Sequence, residues 1–198
     1  MKKKILIGIT GGIGSGKSIV GKKLVQMGFK VLNADLIAKE LYKTDKNLAR
    51  AIVREFGEDI LTYKNRINLS KLKDIIFTSR RNYLKINSIV HPVVISNLLS
   101  RFKRIKSSII FIEAALIFES GFDKLLDYVL MVYSDKENRI KRIMERNGVK
   151  REEVEKIIKM QMDDRKKTER SDFILVNNKS CEFITKQVEF LGKFFRTL

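Results

Sequence analysis

The sequence predicts an α/β fold in which a doubly wound parallel sheet of five strands carries helices on both faces. Three observations predict it. Five short apolar runs alternate with segments whose apolar residues recur at helical spacing. The runs are continuously apolar, as expected of strands that are buried on both faces of a sheet. The first run leads into a glycine-rich loop and then a helix, and this strand–loop–helix order belongs to the same fold class.

The elements follow in order along the chain. The predicted strands are 5–9, 29–33, 108–112, 128–133 and 172–176. The predicted helices outside the middle of the chain are 18–27, 34–42, about 135–146, 151–167 and 181–195. Gly28 is predicted to end the first helix, because glycine adopts the conformation that closes a helix C-terminus. Asn147-Gly148 separates two charged helices that form a hairpin.

Residues 45–106 are predicted to be largely helical. Asp45 and Ser70 are predicted N-caps, because short polar side chains accept hydrogen bonds from the first helical turn. Pro92, the only proline, is predicted to open a helix running towards Phe102, since the first turn tolerates proline. The predicted division is a single domain, 1–198, with a core of about 1–33, 107–134 and 171–198, a helical region of about 34–106 and a charged hairpin of about 135–170.

The composition indicates a globular protein with a large excess of positive charge. The 198 residues are 44% hydrophobic, and 41 Lys and Arg against 23 Asp and Glu give a net charge of +18. A surface of this sign attracts nucleic acid, acidic membranes or polyphosphate ligands, although a lysine-rich surface can also serve only solubility.

Other sequence features indicate the compartment in which the protein is expected. No apolar run is long enough to cross a membrane, and the start, MKKKILIGIT, lacks the cleavage site of a secretory signal. Cys181 is the only cysteine and cannot form an internal disulfide, which fits a reducing compartment. A cytoplasmic location is therefore expected.

The glycine-rich loop carries the strongest functional signal. Residues 11–18, GGIGSGKS, match G-x-x-x-x-G-K-[ST] at every fixed position and lie between a predicted strand and helix. In such a loop, backbone N–H groups surround phosphate oxygens, and the helix N-terminus adds about half a positive charge. Lys17 is predicted to reach the β- and γ-phosphates and Ser18 to hold Mg²⁺. A tight glycine turn without a ligand is the alternative.

The same loop narrows the class of protein to a P-loop NTPase type. No register supplies the G-x-G-x-x-G of a dinucleotide site. The D-x-x-G and N-K-x-D motifs of GTPases are absent, and a motor ATPase is usually larger. A small-molecule kinase that uses ATP and Mg²⁺ is the remaining prediction.

Two groups of charged residues could serve a kinase reaction. Asp35 follows a predicted strand, where its carboxylate could take a proton from a hydroxyl or touch Mg²⁺, or could only cap the next helix. Arg139, Arg142 and Arg146 share one helix face by their spacing. They could neutralise a transferring phosphoryl group or form a solvated face.

Two single residues each have two interpretations. His91, the only histidine, could contact a substrate phosphate or ribose, or could be structural. Glu119 follows a buried strand and could hold substrate or cap a helix.

Several stretches together resemble dephospho-CoA kinases. The carrying stretches, in chain order, are GITGGIGSGKS at 8–18, Asn33-Ala-Asp35, His91-Pro92, ALIFE at 115–119, Arg142, Arg146, Gln161 and Ser171-Asp172 to Asn177. The match runs along nearly the whole chain. The opening TGGIG is more characteristic of this family than a bare P-loop motif.

The resemblance implies the last step of coenzyme A synthesis, in which ATP phosphorylates the ribose 3′-hydroxyl of dephospho-CoA. It implies that the region of about 34–106 binds the CoA substrate and that the hairpin is a lid. The implied catalytic residues are Asp35, as the base, Lys17 and Arg142. The implied substrate-binding residues are Asp35, His91 and Glu119, and Ser18 is the implied metal ligand. The implied ATP-binding residues are Gly11, Gly12, Ile13, Gly14, Ser15, Gly16, Lys17, Ser18, Arg142, Arg146 and Asn177.

The chain departs from the family pattern at four positions. The family usually has aspartate at Asn33, proline at Ala115, glutamine at Arg139 and glycine at Lys179. The first two concern the substrate crevice, and Lys179 lies where adenine is expected.

Two alternatives to this function stay open. One is a P-loop kinase of another small substrate, such as a nucleoside monophosphate. The other is a basic nucleic-acid-binding ATPase, disfavoured because no basic stripe is interleaved with aromatic residues. The expected partners are ATP and dephospho-CoA, with no stable nucleic acid and no membrane, for a monomer or weak homo-oligomer.

Overall fold

The computed structural model describes residues 4–197. The strands are β1 (Ile5–Thr10), β2 (Lys30–Asn33), β3 (Ile109–Glu113), β4 (Tyr128–Tyr133) and β5 (Phe173–Val176). The helices are α1 (Lys17–Gln26), α2 (Ala34–Thr44), α3 (Lys46–Phe56), α4 (Leu69–Ile76), α5 (Arg80–Arg104), α6 (Lys136–Asn147), α7 (Arg151–Met160), α8 (Asp164–Glu169) and α9 (Cys181–Phe195). Short 3₁₀ turns occupy Glu58–Ile60 and Phe122–Leu125.

These elements form two compact units. The sheet unit contains the described residues up to Asn33 and from Ile105 onward, and the helical unit is Ala34–Arg104. The charged hairpin, α6 to α8, is part of the sheet unit. Within the described part of the chain, none of the helices combines the length and apolar character that a membrane span needs.

The sheet has five parallel strands in the order β2-β3-β1-β4-β5, which confirms the predicted α/β fold. The strand β1 lies at the centre, between β3 and β4. Because all strands are parallel, their carboxyl ends share one edge of the sheet, where ligands of such folds bind. Glu113 at that edge pairs in register with Ile9 of β1 and with Asn33 of β2.

The main core lies between the sheet and the helices α1 and α9. Side chains such as Ile7, Phe111 and Val132 from the strands meet Leu24 of α1 and Val188 of α9. Each of these five side chains is at most 1% exposed. Complete burial of one apolar side chain of this size contributes about 1.5–3 kcal/mol, which explains why the strands read as unbroken apolar runs.

The helical unit is built around α5, against which α2, α3 and α4 pack. The prediction that Pro92 opens a helix is wrong, because Pro92 lies inside the 25-residue helix α5. The buried residues of α5 recur at helical spacing on both sides of the proline: Tyr83, Ile86, Val90, Val94 and Leu98. Packing of this stripe outweighs the hydrogen bond that proline removes.

Two further local predictions are resolved by capping contacts. Asp45 is confirmed as an N-cap, since its Oδ1 accepts from the backbone N–H of Asn47 and Leu48. Ser70 is not an N-cap, because Asn68, two residues earlier, caps α4.

The predicted helix 151–167 is two helices, and α7 ends at Met160. The break follows from Asp163, whose side chain caps α8 by accepting from the N–H of Arg165 at 2.9 Å. The segment between the helices supplies contacts to the glycine loop.

Candidate active site

The glycine loop, residues 11–16, joins the carboxyl end of β1 to the start of α1. Gly11, Gly14 and Gly16 have φ angles of 145°, 78° and 100°, which residues with a Cβ rarely adopt. Gly12 leaves space for the guanidinium of Arg139, which a Cβ at this position would displace. The cluster of glycines therefore serves a backbone that turns back on itself without intervening side chains, the form that a phosphate-binding loop needs.

The two residues that end the motif face the same edge. The Lys17 ammonium is buried and donates to the carbonyls of Gly11 at 2.8 Å and Gly12 at 3.2 Å. The Ser18 hydroxyl donates to Glu113 Oε1 at 2.9 Å. A hydroxyl and a carboxylate at this spacing are oxygen ligands of the kind that Mg²⁺ prefers.

Ser15 adds a second sign that the loop fits a polar ligand. Its Oγ is buried and has no hydrogen-bond partner among the described residues. Buried polar atoms are usually satisfied, so a lone donor within this loop fits an anionic ligand.

Glu113 is the site residue that the sequence interpretation missed. It is the last residue of β3, only 7% exposed, at the shared edge of the sheet. The signal was present as an acidic residue directly after the four apolar residues IIFI. In P-loop enzymes, an acid at the end of a neighbouring strand joins the loop serine in holding Mg²⁺, and Glu113 occupies that position.

Asn177 and Arg142 meet at the carboxyl ends of β4 and β5. Asn177 is 3% exposed, and its side-chain amide donates to the Ser15 carbonyl at 2.8 Å, which fixes the loop. The backbone carbonyl of Asn177 accepts from the Ser134 hydroxyl and from Arg142, both at 2.9 Å. A second Arg142 nitrogen donates to Ser134 Oγ at 3.1 Å. The Arg142 guanidinium is thus anchored beside the glycine loop.

The three arginines of α6 differ in their surroundings although their spacing predicts one face. Arg139 is 2% exposed and bonds the Ile13 carbonyl and Asp164. Arg142 is half-buried at the sheet edge, and Arg146 is exposed, with Nε donating to Asn147 Oδ1 at 3.0 Å. Only Arg139 and Arg142 reach the neighbourhood of the loop through contacts in the described structure.

Glu119 connects the segment after β3 to the end of the hairpin. Its Oε1 accepts from the backbone N–H of Met162 and from the buried Lys167 ammonium, both at 2.8 Å. Lys167 also donates to the Ala115 carbonyl at 3.3 Å. The other oxygen, Oε2, is buried and has no hydrogen-bond partner among the described residues, so it could accept from a ligand.

Asp35 and His91 belong to the helical unit. Asp35 is exposed and is the second residue of α2, inside its first turn rather than at the N-cap position. Burial, and then the negative charge of Asp35, raise the pKa of Tyr42 to about 12. His91 is half-buried near the middle of α5.

Comparison with known proteins gives the family. The family model for dephospho-CoA kinase matches residues 5–182. A dephospho-CoA kinase of Fusobacterium nucleatum is 41% identical over 186 residues, which cover 93% of this chain and 95% of that protein. The chain belongs to the dephospho-CoA kinase family. The resemblance noted from the motifs is therefore confirmed over most of the chain.

Solved structures agree with the membership. The crystal structure of TT1252 from Thermus thermophilus matches with a TM-score of 0.82 at 30% identity, over 98% of each chain. A dephospho-CoA kinase from Campylobacter jejuni matches with a TM-score of 0.64 at 27% identity, over 96% of this chain and 98% of that chain. The fold of this chain is thus one that a dephospho-CoA kinase adopts.

The structure shows contacts of the four residues at which the chain departs from the family pattern. Asn33 pairs with Glu113 in the sheet register, and the Ala115 carbonyl accepts from Lys167. The Lys179 ammonium lies 4.8 Å from the centre of the Phe183 ring, a cation–π contact that directs it along α9. Arg139, the fourth of these residues, donates to the Ile13 carbonyl and to Asp164.

Proposed function

We propose that this chain transfers the γ-phosphoryl group of ATP to the ribose 3′-hydroxyl of dephospho-CoA, forming coenzyme A and ADP. The observation that carries the proposal is the Ser18–Glu113 contact at 2.9 Å beside a glycine loop, in a member of the dephospho-CoA kinase family. This pair combines the two oxygen ligands that P-loop enzymes use for Mg²⁺.

The sheet unit supplies the groups for ATP. The amides of residues 11–16 and the Lys17 ammonium bind the phosphates. To reach the phosphates, the Lys17 ammonium breaks its hydrogen bonds to the Gly11 and Gly12 carbonyls. Ser18 and Glu113 would hold Mg²⁺, which neutralises charge on the phosphate oxygens when bound. Arg142 and Arg146 are proposed to bind the phosphates from α6, and Asn177 to fix the loop from the other side.

Asp35 is proposed as the base that orients and deprotonates the 3′-hydroxyl. Support comes from the chain connection: Asp35 is two residues beyond Asn33, whose register partner is Glu113. An exposed carboxylate tethered that closely to the carboxyl edge of the sheet is available to a hydroxyl substrate. His91 and Glu119 are proposed substrate contacts, Glu119 through its unsatisfied Oε2.

The test is a coupled assay of ADP release with ATP and three acceptors: dephospho-CoA, AMP and none. We expect ADP release that depends on dephospho-CoA, with one phosphate added at the 3′ position of the product. Equal rates with AMP would instead identify a nucleoside monophosphate kinase. Release that needs no acceptor but rises with RNA or DNA would identify a nucleic-acid-dependent ATPase, for which binding should weaken steeply with salt.

The protein is expected in the cytoplasm, as a monomer or weak homo-oligomer, without stable nucleic acid. Size-exclusion chromatography with light scattering, at two salt concentrations, measures the last two.

A further inference from the structure

Arg139 is a buried cation pressed against the glycine loop. It is 2% exposed, and its Nε donates to the Ile13 carbonyl at 2.9 Å. One terminal nitrogen donates to Asp164 Oδ2 at the start of α8. Its guanidinium fills the space that a side chain at Gly12 would need. The guanidinium therefore touches two consecutive residues of the loop and ties them to α8.

The backbone of Ile13 is held on both sides by the hairpin. Its carbonyl accepts from Arg139, and its N–H donates to Gln161 Oε1 at 2.9 Å. Gln161 and Asp164 flank the break between α7 and α8, three residues apart. One short segment, residues 161–164, thus reaches the loop directly through Gln161 and indirectly through Asp164 and Arg139.

The contacts of Arg139 do more than fill space, because they also fix the conformation of the glycine loop. A loop with glycines at positions 11, 12, 14 and 16 has many accessible backbone conformations, so external contacts must select one. A buried guanidinium is stable only where its donors find acceptors, and losing one partner leaves an uncompensated charge. The Ile13 carbonyl and Asp164 are the acceptors that fix the orientation of Arg139, and with it the loop.

We propose that Arg139 and Asp164 are a positioning pair for the phosphate-binding loop, and that ATP affinity depends on them although neither is required to touch ATP. Gln161 completes the arrangement from the N–H side of Ile13. The proposal rests on the proposed function only in that the loop binds a nucleoside triphosphate. It predicts a defect in nucleotide affinity that is separate from the acceptor substrate.

The structure offers a matched control pair. Arg151 of α7 makes two hydrogen bonds to Glu137 of α6, at 2.6 Å and 2.9 Å. This pair has the same chemistry and also ties the hairpin together, but it is exposed and bonds no loop residue. A loss of ATP affinity that arises only from a less stable hairpin should therefore appear when either pair is broken.

The test measures binding of Mg·ATP by calorimetry to the full chain, without dephospho-CoA. We expect Arg139→Met to weaken ATP binding about tenfold or more, the usual worth of a charged hydrogen bond, and Arg151→Met to change it less than twofold. In steady-state assays the KM for ATP should rise while the KM for dephospho-CoA stays the same. Asp164→Asn should weaken binding in the native protein but add little in the Arg139→Met background, because the two residues act as a unit.

The opposite outcomes overturn the proposal. An affinity within twofold of the native value for Arg139→Met excludes a positioning role, and equal losses for Arg151→Met assign the effect to hairpin stability. If Arg139→Met does not fold, Arg139→Lys and Asp164→Asn decide the matter, since each keeps one of the two partners. Native affinity in both of them would refute the pair. Because ATP binding is read directly, a chain that binds ATP normally yet fails to phosphorylate dephospho-CoA would refute the proposed function instead.

Discussion

The candidate residues of the sheet unit lie around the glycine loop, whereas Asp35 and His91 lie on helices of the helical unit. Lys17, Ser18 and Asn177 each bond the loop or a neighbouring strand. Asp35 is exposed in the first turn of α2, and His91 lies within the long helix α5. Folding alone thus brings together the groups of the sheet unit that are proposed to bind phosphate.

Replacing Asp35 tests the helical side of this comparison and should have the largest effect. If Asp35 is the base, Asp35→Asn should lower turnover by about 10² to 10⁴, because asparagine cannot take a proton. ATP affinity should stay unchanged, since the loop residues remain as they are. Steady-state kinetics and calorimetric ATP titration measure the two quantities.

Asp45→Asn is the matched control for that change. Asp45 is in the same unit and caps α3, and asparagine caps as well as aspartate, so turnover should stay within about twofold. Native turnover in Asp35→Asn would show that Asp35 is not the base of the proposed reaction.

Replacing Glu113 tests the sheet side. Glu113→Gln keeps a side-chain oxygen for the Ser18 hydroxyl but removes the charge that a divalent cation needs. We expect the Mg²⁺ concentration for half-maximal activity to rise by about 10- to 100-fold, as for other changes near a metal ligand. A Mg²⁺ titration at saturating ATP measures it. Glu137→Gln, an exposed carboxylate change on α6, should leave the titration unaltered, and an unaltered titration for Glu113→Gln would exclude Glu113 as a metal ligand.

The sheet side was also the more predictable from sequence. The glycine loop, the five strands and their parallel direction follow from patterns in the sequence: unbroken apolar runs that alternate with helical segments, and the spacing G-x-x-x-x-G-K-S. Glu113 was missed, although an acid after four apolar residues marks it. The inward turn of Arg139 could not be predicted, because helical spacing places it with Arg142 and only the tertiary contact to Ile13 separates them.

The helical side was less predictable for a physical reason. A proline within a helix costs about 3 kcal/mol in isolation, so local propensity places Pro92 at a helix start. The structure has it mid-helix, where the buried stripe of α5 outweighs that cost. Asn68, and not the predicted Ser70, is the N-cap of α4. The sequence alone does not separate the two residues, because either side chain can cap a helix.

Asn177 tests whether the sheet side is prepared by folding. Asn177→Ala removes the donor to the buried Ser15 carbonyl and should destabilise the protein by about 1–3 kcal/mol, with weaker ATP binding. Urea denaturation measures the stability. Asn178→Ala is the control: Asn178 is half-buried and accepts from the Asp135 N–H at 2.8 Å, so its loss should cost less and spare ATP binding. Equal ATP affinity in both variants would mean that the loop does not rely on Asn177.

The smallest expected effect concerns Tyr42 and its nearness to Asp35. Burial, and then the Asp35 carboxylate, raise the pKa of Tyr42 to about 12, against about 10 in the unfolded chain. The raised value means that the neutral phenol favours the folded state fully below pH 10, and that this contribution is lost as the pH rises from 10 to 12. At pH 11 the native protein should therefore have lost about 1 kcal/mol more of its unfolding free energy than Tyr42→Phe, as measured by urea denaturation at constant salt. The phenolate absorbance that Tyr42→Phe removes gives the pKa itself, and Asp35→Asn should lower that pKa because the neighbouring negative charge is gone. A Tyr42 that ionises near pH 10 in the folded protein, unaffected by Asp35→Asn, would show that the Asp35 carboxylate does not act on the Tyr42 phenol.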